Sequence, residues 1–214
     1  METVIITPSI SIEKPLLNIL LKKNLLENKK EVEIIREPGG TEISEIIRPI
    51  ILDKKHYKMF METEIFLFSA ARAQLVREKI RPYLNNNYFV ISDRFHDSTT
   101  AYQGYGRGIS LELVNHINSL AIGDTIPDIT FFIDIPVEEA EKRKQAKNKI
   151  SLDRIETSNS EFYNRVRNGY ISISEKEKRF KKINGIKSIE EIHNEIKKEI
   201  LLLEKKETVW ATKN

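Results

Sequence analysis

Short apolar runs of strand length alternate along this chain with longer stretches of helical period, and that alternation is the strongest constraint on its fold. Val4-Ile5-Ile6, Val32-Glu33-Ile34-Ile35, Tyr88-Phe89-Val90-Ile91 and Ile129-Thr130-Phe131-Phe132-Ile133 read as buried strands, with Phe180 to Ile183 a fifth candidate. Between them, helices are expected from about Pro15 to Leu26, over Glu45 to Leu52, and from about Glu62 to Tyr83. A last long helix opens at Ser188, where Glu191 three residues on completes a capping box, and continues through Ile189, Ile192, Ile196, Ile200 and Leu203 at helical spacing. Strands separated by helices predict an α/β fold, a three-layer architecture with a parallel sheet of about five strands and helices on both faces. No internal repeat or linker divides the sequence, so residues 1–214 are expected to form a single domain.

Composition narrows the function classes. Lys and Arg number 35 against 32 Asp and Glu, a net charge of +3. That balance argues against nucleic acid, whose binders usually gather basic residues on one face. With no cysteine there is no disulfide and no thiolate metal site, which fits a cytoplasmic location. No apolar run approaches the ~20 residues that cross a bilayer, and Met1-Glu2-Thr3-Val4 lacks the basic start and apolar stretch of a signal peptide. The tail from Glu204 to Asn214 is polar apart from Val209 and Trp210, and could fray or dock through Trp210.

In parallel sheets, ligands sit outside the carboxyl ends of the strands. Three predicted strands end in charge there: Arg36-Glu37, Asp93-Arg94 and Asp134. A strand end meeting water is often polar, but several together favour a site. Phe68 and Arg72, four residues apart, share one helix face, as do Thr99 and Gln103. Gly104-Tyr105-Gly106-Arg107-Gly108 reads as a flexible turn, its glycine spacing wrong for a dinucleotide fingerprint. His96 reads as an exposed loop residue.

Five segments in series carry a resemblance. Arg36-Glu37-Pro38-Gly39-Gly40-Thr41, Phe68-Ser69-Ala70-Ala71-Arg72-Ala73-Gln74, Asp93 to Gly104, Leu152-Asp153-Arg154-Ile155-Glu156 and Phe162-Tyr163-Asn164-Arg165-Val166-Arg167 resemble, in order and spacing, the motifs of the thymidylate kinase family. The resemblance implies a P-loop nucleoside monophosphate kinase-like fold and the reaction ATP + dTMP to ADP + dTDP, with Mg²⁺, in a cytoplasmic homodimer. It implies Arg36, Arg94 and nearby Arg48 on the phosphate of dTMP, a role suited to the planar guanidinium fork. It places Phe68 on the thymine ring, Arg72 at its carbonyl edge, Thr99 and Gln103 at the remaining polar positions, Tyr102 beside the sugar, and Pro38 in the substrate pocket. It assigns Asp93 to magnesium and to the phosphate-binding arginine; the alternative is a structural partner of Arg94. The basic run Lys142, Arg143, Lys144, Lys147 and Lys149 matches the family's lid, about residues 142–152, with Arg143 catalytic; an ordinary charged helix surface is the other reading.

One segment departs from the pattern. Where the family has G-x-x-x-x-G-K-[ST], this chain reads Pro8-Ser9-Ile10-Ser11-Ile12-Glu13-Lys14-Pro15. Lys14 falls at the lysine position. Pro8, Ser11 and Glu13 replace glycines, and Pro15 replaces the hydroxyl that holds magnesium. Proline has no N–H to offer a phosphate, and Glu13 brings negative charge toward one. Three expectations remain open: a kinase that holds ATP in an unusual way, a catalytically inactive nucleotide-binding regulator, or a partner of an active kinase.

Overall fold

The computed structural model describes the backbone of residues 2–8, 14–146 and 152–211, and side chains within 16–143 and 152–204. The expectations for the Pro8–Pro15 loop, the Lys14 side chain, the lid beyond Ala146 and the docking of Trp210 fall wholly or mainly outside them.

In chain order the elements are β1 (Glu2–Pro8), α1 (Lys14–Glu27), β2 (Val32–Arg36), α2 (Glu42–Leu52), α3 (Met61–Leu75), α4 (Arg81–Asn85), β3 (Phe89–Asp93), α5 (His96–Thr99), α6 (Leu111–Ile122), β4 (Ile129–Asp134), α7 (Val137–Ala146), α8 (Ser160–Lys176), β5 (Phe180–Asn184) and α9 (Ile189–Ala211). The strands join side by side in the order β2-β3-β1-β4-β5, and every pairing is parallel. The capping box at Ser188 forms: its Oγ–H and N–H both donate to Glu191 Oε2, at 2.7 and 2.9 Å.

Successive strand residues point to opposite faces, and both faces are covered. Phe89 and Ile91 of β3, with Ile129, Phe131 and Ile133 of β4, pack against Leu17, Leu21 and Leu25 of α1 and Ile192, Ile196 and Ile200 of α9. Val90 faces the other way, among Leu75, Val76, Ile80, Phe95, Ala121 and Ile122. Phe132 does likewise among Phe162, Val166, Tyr170 and Phe180. Strands sealed on both faces are apolar at every position rather than at alternate ones, and each such side chain contributes roughly 1.5–3 kcal/mol. No helix of the described residues is long and apolar enough to cross a membrane.

Two helical stretches differ from expectation. The helix expected over Glu62 to Tyr83 widens to a π-helical turn at Val76–Ile80, just before Pro82, which has no N–H for the ladder. The flexible turn expected at Gly104–Gly108 is mostly a second π-helical segment, Thr100–Gly106, that prolongs α5. Gly106 is buried there because α8 lies against it: a Cβ would meet Phe162 at 2.7 Å and Val166 at 2.8 Å.

Candidate functional site

Beyond the carboxyl ends of β2 and β3 lies a cavity of about 250 Å³. Arg36, Pro38, Arg48, Phe68, Arg72, Asp93, Arg94, Thr99, Tyr102 and Gln103 all line it. Distant stretches of sequence expected to act on one ligand therefore share one space.

The β2 end is shaped by its loop. Gly39 and Gly40 take φ of +137° and +91°, conformations that a side chain would strain. The turn presents the Gly40 N–H to Glu45 Oε1 at 2.7 Å, and Arg36 Nη2 donates to both Glu45 oxygens at 3.2 Å. The Gly40 amide, with Arg36 beside it, holds the Glu45 carboxyl below the usual range. Thr41 caps α2, its Oγ1 accepting from Ser44 N–H at 3.2 Å. One turn farther on, Arg48 donates to the Pro38 carbonyl, across a cis Glu37–Pro38 peptide.

The α3 wall carries Phe68 and, one turn later, Arg72. Arg72 is 2% exposed and its fork is occupied by protein. Nε and Nη2 reach Glu37 Oε2 at 2.8 and 2.7 Å, and Nη1 donates to Thr99 Oγ1 at 2.8 Å. The expectation that Arg72 reads a base edge is thus joined by a structural role the sequence did not reveal: it ties β2, α3 and α5 together.

At the β3 end, Asp93 faces the cavity and Arg94 turns back into it with φ +73°. Ser92 Oγ–H donates to the Arg94 carbonyl at 2.6 Å, bracing that turn. Arg94 Nη2 donates to the Tyr102 hydroxyl at 3.2 Å, and its guanidinium lies 4.9 Å from that ring's centroid. Opposite, the Asp153 carboxylate accepts N–H bonds from Ile155 and Glu156 at 2.9 and 2.8 Å, while Asp153 N–H donates to Glu156 Oε2 at 2.9 Å. Burial pushes the Asp153 carboxyl up despite these bonds.

Several expected residues lie elsewhere. Asp134 at the β4 end is held by Arg167 at 2.6 and 3.1 Å and does not line the cavity. Arg143, on α7, pairs with Glu139 at 2.9 Å and does not line it either. Lys14 begins α1. The expectation of an exposed His96 is overturned: its side chain is 13% exposed, with Nε2 3.3 Å from Asp97 Oδ1 and 3.4 Å from Arg179 Nη2. Arg179 in turn clamps the neighbouring Asp97 through two bonds of 2.7 and 2.8 Å.

Glu64 is a buried member of this region that its position in the sequence does not announce. A glutamate in the first turn of a helix normally sits in solvent near the helix dipole, but this one is 1% exposed. It accepts from Gln103 Nε2 at 2.9 Å and from Arg107 Nε and Nη2 at 3.2 and 3.3 Å, and pairs with Arg154 Nη2 at 2.7 Å. Its spacing of four and eight from Phe68 and Arg72, on one helix face, was the available signal.

Magnesium can be weighed against these donors. Among the described residues no three His, Asp or Glu side chains converge. Mg²⁺ retains waters and commonly takes only one or two carboxylates plus substrate phosphates. Asp93, a carboxylate on the wall that carries Arg94, fits that sparse role; a cage made of protein alone does not.

The family model described as thymidylate kinase matches residues 14–196. A thymidylate kinase of Kosmotoga olearia is 46% identical over 188 residues, 87% of this chain and 89% of that protein. Those of Chlorobium luteolum and Thermosipho melanesiensis are 47% and 43% identical over 177 and 180 residues, covering 79% and 84% of this chain and 82% and 87% of theirs. An α/β sheet with an arginine-rich cavity at its strand ends defines a nucleotide-binding class of protein. Within that class, this chain belongs to the thymidylate kinase family.

Proposed function

We propose that the cavity binds dTMP as the phosphate acceptor of the family reaction, ATP + dTMP to ADP + dTDP. The observation that carries this reading is the convergence of Arg36, Arg48 and Arg94 with Phe68 on one cavity of about 250 Å³. Arg94 and Arg36 take the phosphate oxygens, Phe68 stacks on the pyrimidine, Tyr102 packs beside the sugar, and Thr99 and Gln103 meet the polar edge of the base. Arg72, anchored by Glu37, orients Thr99. Asp93 is the residue that would hold Mg²⁺, whose chemistry is to neutralise charge on the transferring phosphates.

The donor side is where this chain departs. Phosphoryl transfer is mostly positioning and charge stabilisation, and a single well-placed donor is typically worth ~3 kcal/mol. Pro8, Glu13 and Pro15 together withdraw backbone donors, add a negative charge and remove a metal-binding hydroxyl. The function we assign is therefore dTMP binding with slow or absent transfer from ATP, as in a nucleotide-binding regulator. The competing reading, ordinary dTMP kinase turnover, is favoured by the family membership and by Lys14 at the lysine position. Calorimetric titration with dTMP and with Mg-ATP, together with a coupled ADP-release assay, separates them. Binding of dTMP with transfer well below an ordinary kinase rate supports our assignment; turnover at ~1 s⁻¹ or more establishes the competitor; absence of dTMP binding defeats both.

A cytoplasmic homodimer is part of the same proposal. Ile43, Ile46 and Ile50 form an exposed stripe on α2; α3, packed on α2, exposes Phe66, and α6, packed on α3, exposes Leu113 and Leu120. So much apolar surface on neighbouring helices fits a self-contact. Sedimentation equilibrium at micromolar concentration tests it.

A further inference from the structure

We propose that a second cavity, on the other side of Glu64 from the first, binds a phosphate-class oxyanion between Arg107 and Arg154. It encloses about 250 Å³ where the segment between α2 and α3 meets the turn before α8. Tyr57, Met59, Met61 and Ser158 line it together with Glu64 and the two arginines. Glu64 separates the two spaces: Gln103, which lines the first cavity, donates from Nε2 to Glu64 Oε1 at 2.9 Å, whereas Glu64 itself lines the second.

Charge does not balance in this second space. Burial pushes the Glu64 carboxyl up, but Arg107, the Gln103 amide and Arg154 together hold it below the usual carboxylate range, so it is ionised near neutral pH. A single carboxylate thus faces two guanidiniums, which keep their charge at any working pH. Arg107 reaches it with Nε and Nη2 at 3.2 and 3.3 Å, and Arg154 pairs with it at 2.7 Å. Among the described residues no other Asp or Glu lines the cavity. One positive charge is therefore left over on side chains that are only 26% and 8% exposed. A cation withdrawn from water needs a partner, and an anion in the cavity supplies it.

Hydrogen-bond donors are unspent there as well. A guanidinium carries five N–H groups. Arg107 commits Nε and Nη2 to Glu64, leaving Nη1 free among the described residues. Arg154 spends Nε on the Ile51 carbonyl at 2.8 Å, and its buried Nη2, though close to Glu64, is aligned for no hydrogen bond. Both forks are held in place without a ligand, Arg154 by that carbonyl and Arg107 by the Phe162 ring, 4.4 Å from its centroid. Such preorganisation lowers the cost of binding. Lys58, with Nζ 5.7 Å from the Tyr57 ring centroid, adds positive potential beside the cavity. Fork-shaped donors with a surplus positive charge match phosphate oxygens. Free phosphate and the phosphoryl end of a small molecule share that chemistry, and Met59 and Met61 offer the second an apolar wall.

The methionines give a readout confined to this cavity, because the chain has 3 and two of them line it. The full chain, labelled at its methionine methyls, is titrated by NMR with inorganic phosphate and with phenyl phosphate. The Met59 and Met61 signals, assigned by Met59→Leu and Met61→Leu, are expected to shift and saturate with a dissociation constant of about 1 mM or tighter. Sodium chloride at equal ionic strength should leave them in place. The tighter of the two probes identifies free phosphate or a phosphorylated small molecule as the occupant. Arg107→Leu, which leaves Glu64 paired with Arg154, should weaken the titration at least about tenfold, the effect of losing one charge-assisted hydrogen bond. Arg107→Lys keeps the charge but not the fork; it should weaken binding as well, and carries the test if Arg107→Leu does not fold. No saturable shift with either probe overturns the proposal, as does wild-type affinity in either Arg107 variant. Occupation of the first cavity alone would leave the methionine signals unmoved, so dTMP binding there stands or falls separately.

Discussion

Arg72 Nη2 stands 2.7 Å from Glu37 Oε2, with the two side chains 2% and 4% exposed, so an ion pair fastens the last turn of α3 to the loop after β2. Removing one partner of such a pair leaves a buried charge uncompensated, which typically costs 3–5 kcal/mol. Glu37→Leu is therefore expected to lower unfolding stability by about that amount, read from urea denaturation midpoints. It should also weaken dTMP binding, because Arg72 would no longer hold Thr99 in place. A stability loss below about 1 kcal/mol, the scale of an exposed pair, would mean that the pair anchors little.

His96 supplies a pH dependence. Burial, only partly countered by Asp97 and reinforced by Arg179 and Arg72, depresses its pKa from the ordinary 6.5 to about 4. Since the folded value lies below the unfolded one, the unfolded chain takes up the proton first as pH falls. Stability that is fully present above pH 6.5 is then lost progressively toward pH 4, by roughly 2–3 kcal/mol for a shift of this size. His193 is depressed in the same direction, so the slope has a second contributor. His96→Asn should flatten most of it, measured as denaturation midpoints in steps from pH 7.5 to pH 4.5. An unchanged slope in the variant would rule out His96 as its source.

What the sequence makes legible here, and what it hides, follows from the range of the forces involved. Val90 and Phe132 are buried because strands covered on both faces need apolar residues at nearly every position, and four short apolar runs, interrupted only by Glu33 and Thr130, declare that locally. Arg36 and Arg94 are legible because charge follows directly on those runs. Glu64 and His96 are not. Each takes its character from partners far along the chain: Arg107 and Arg154 lie 43 and more residues from Glu64, and Arg179 lies 83 from His96. Gly106 misleads for a related reason, since α8 rather than a turn demands a missing side chain there. Asp134 reads as part of the site from its strand-end position, whereas its pairing with Arg167 from α8 makes it one half of an ion pair.

Arg94 offers a direct test of the phosphate site. Its left-handed backbone, Ser92 brace and contact with Tyr102 aim the guanidinium into the cavity. A hydrogen bond to a charged group contributes about 1.5–3 kcal/mol, so Arg94→Met should weaken dTMP binding by roughly ten- to a hundredfold. Thymidine, which lacks the phosphate, should bind wild type and variant alike. If calorimetry shows both ligands weakened together, Arg94 shapes the cavity rather than holding the phosphate.

The donor loop yields the most decisive prediction because it separates two halves of one reaction. On the function proposed above, acceptor binding rests on residues from Arg36 onward, whereas ATP handling in the family depends on a loop that here reads Pro8 to Pro15. A phosphate cradle needs inward N–H groups, which Pro8 cannot supply; it needs positive potential, which Glu13 opposes; and it needs a hydroxyl for magnesium, which Pro15 lacks. Replacing all three, as Pro8→Gly, Glu13→Gly and Pro15→Ser, restores the glycines and the hydroxyl around Lys14. The rate of ADP release with dTMP should then rise by about a hundredfold or more, the effect of regaining even one well-placed donor. The dTMP dissociation constant should stay within about twofold, since nothing in the acceptor cavity has changed; twofold is ~0.4 kcal/mol, well under one hydrogen bond. A rate left unmoved, with the variant folded and dTMP bound, would show that the loop sequence is not what limits transfer and that the barrier lies elsewhere in the chain.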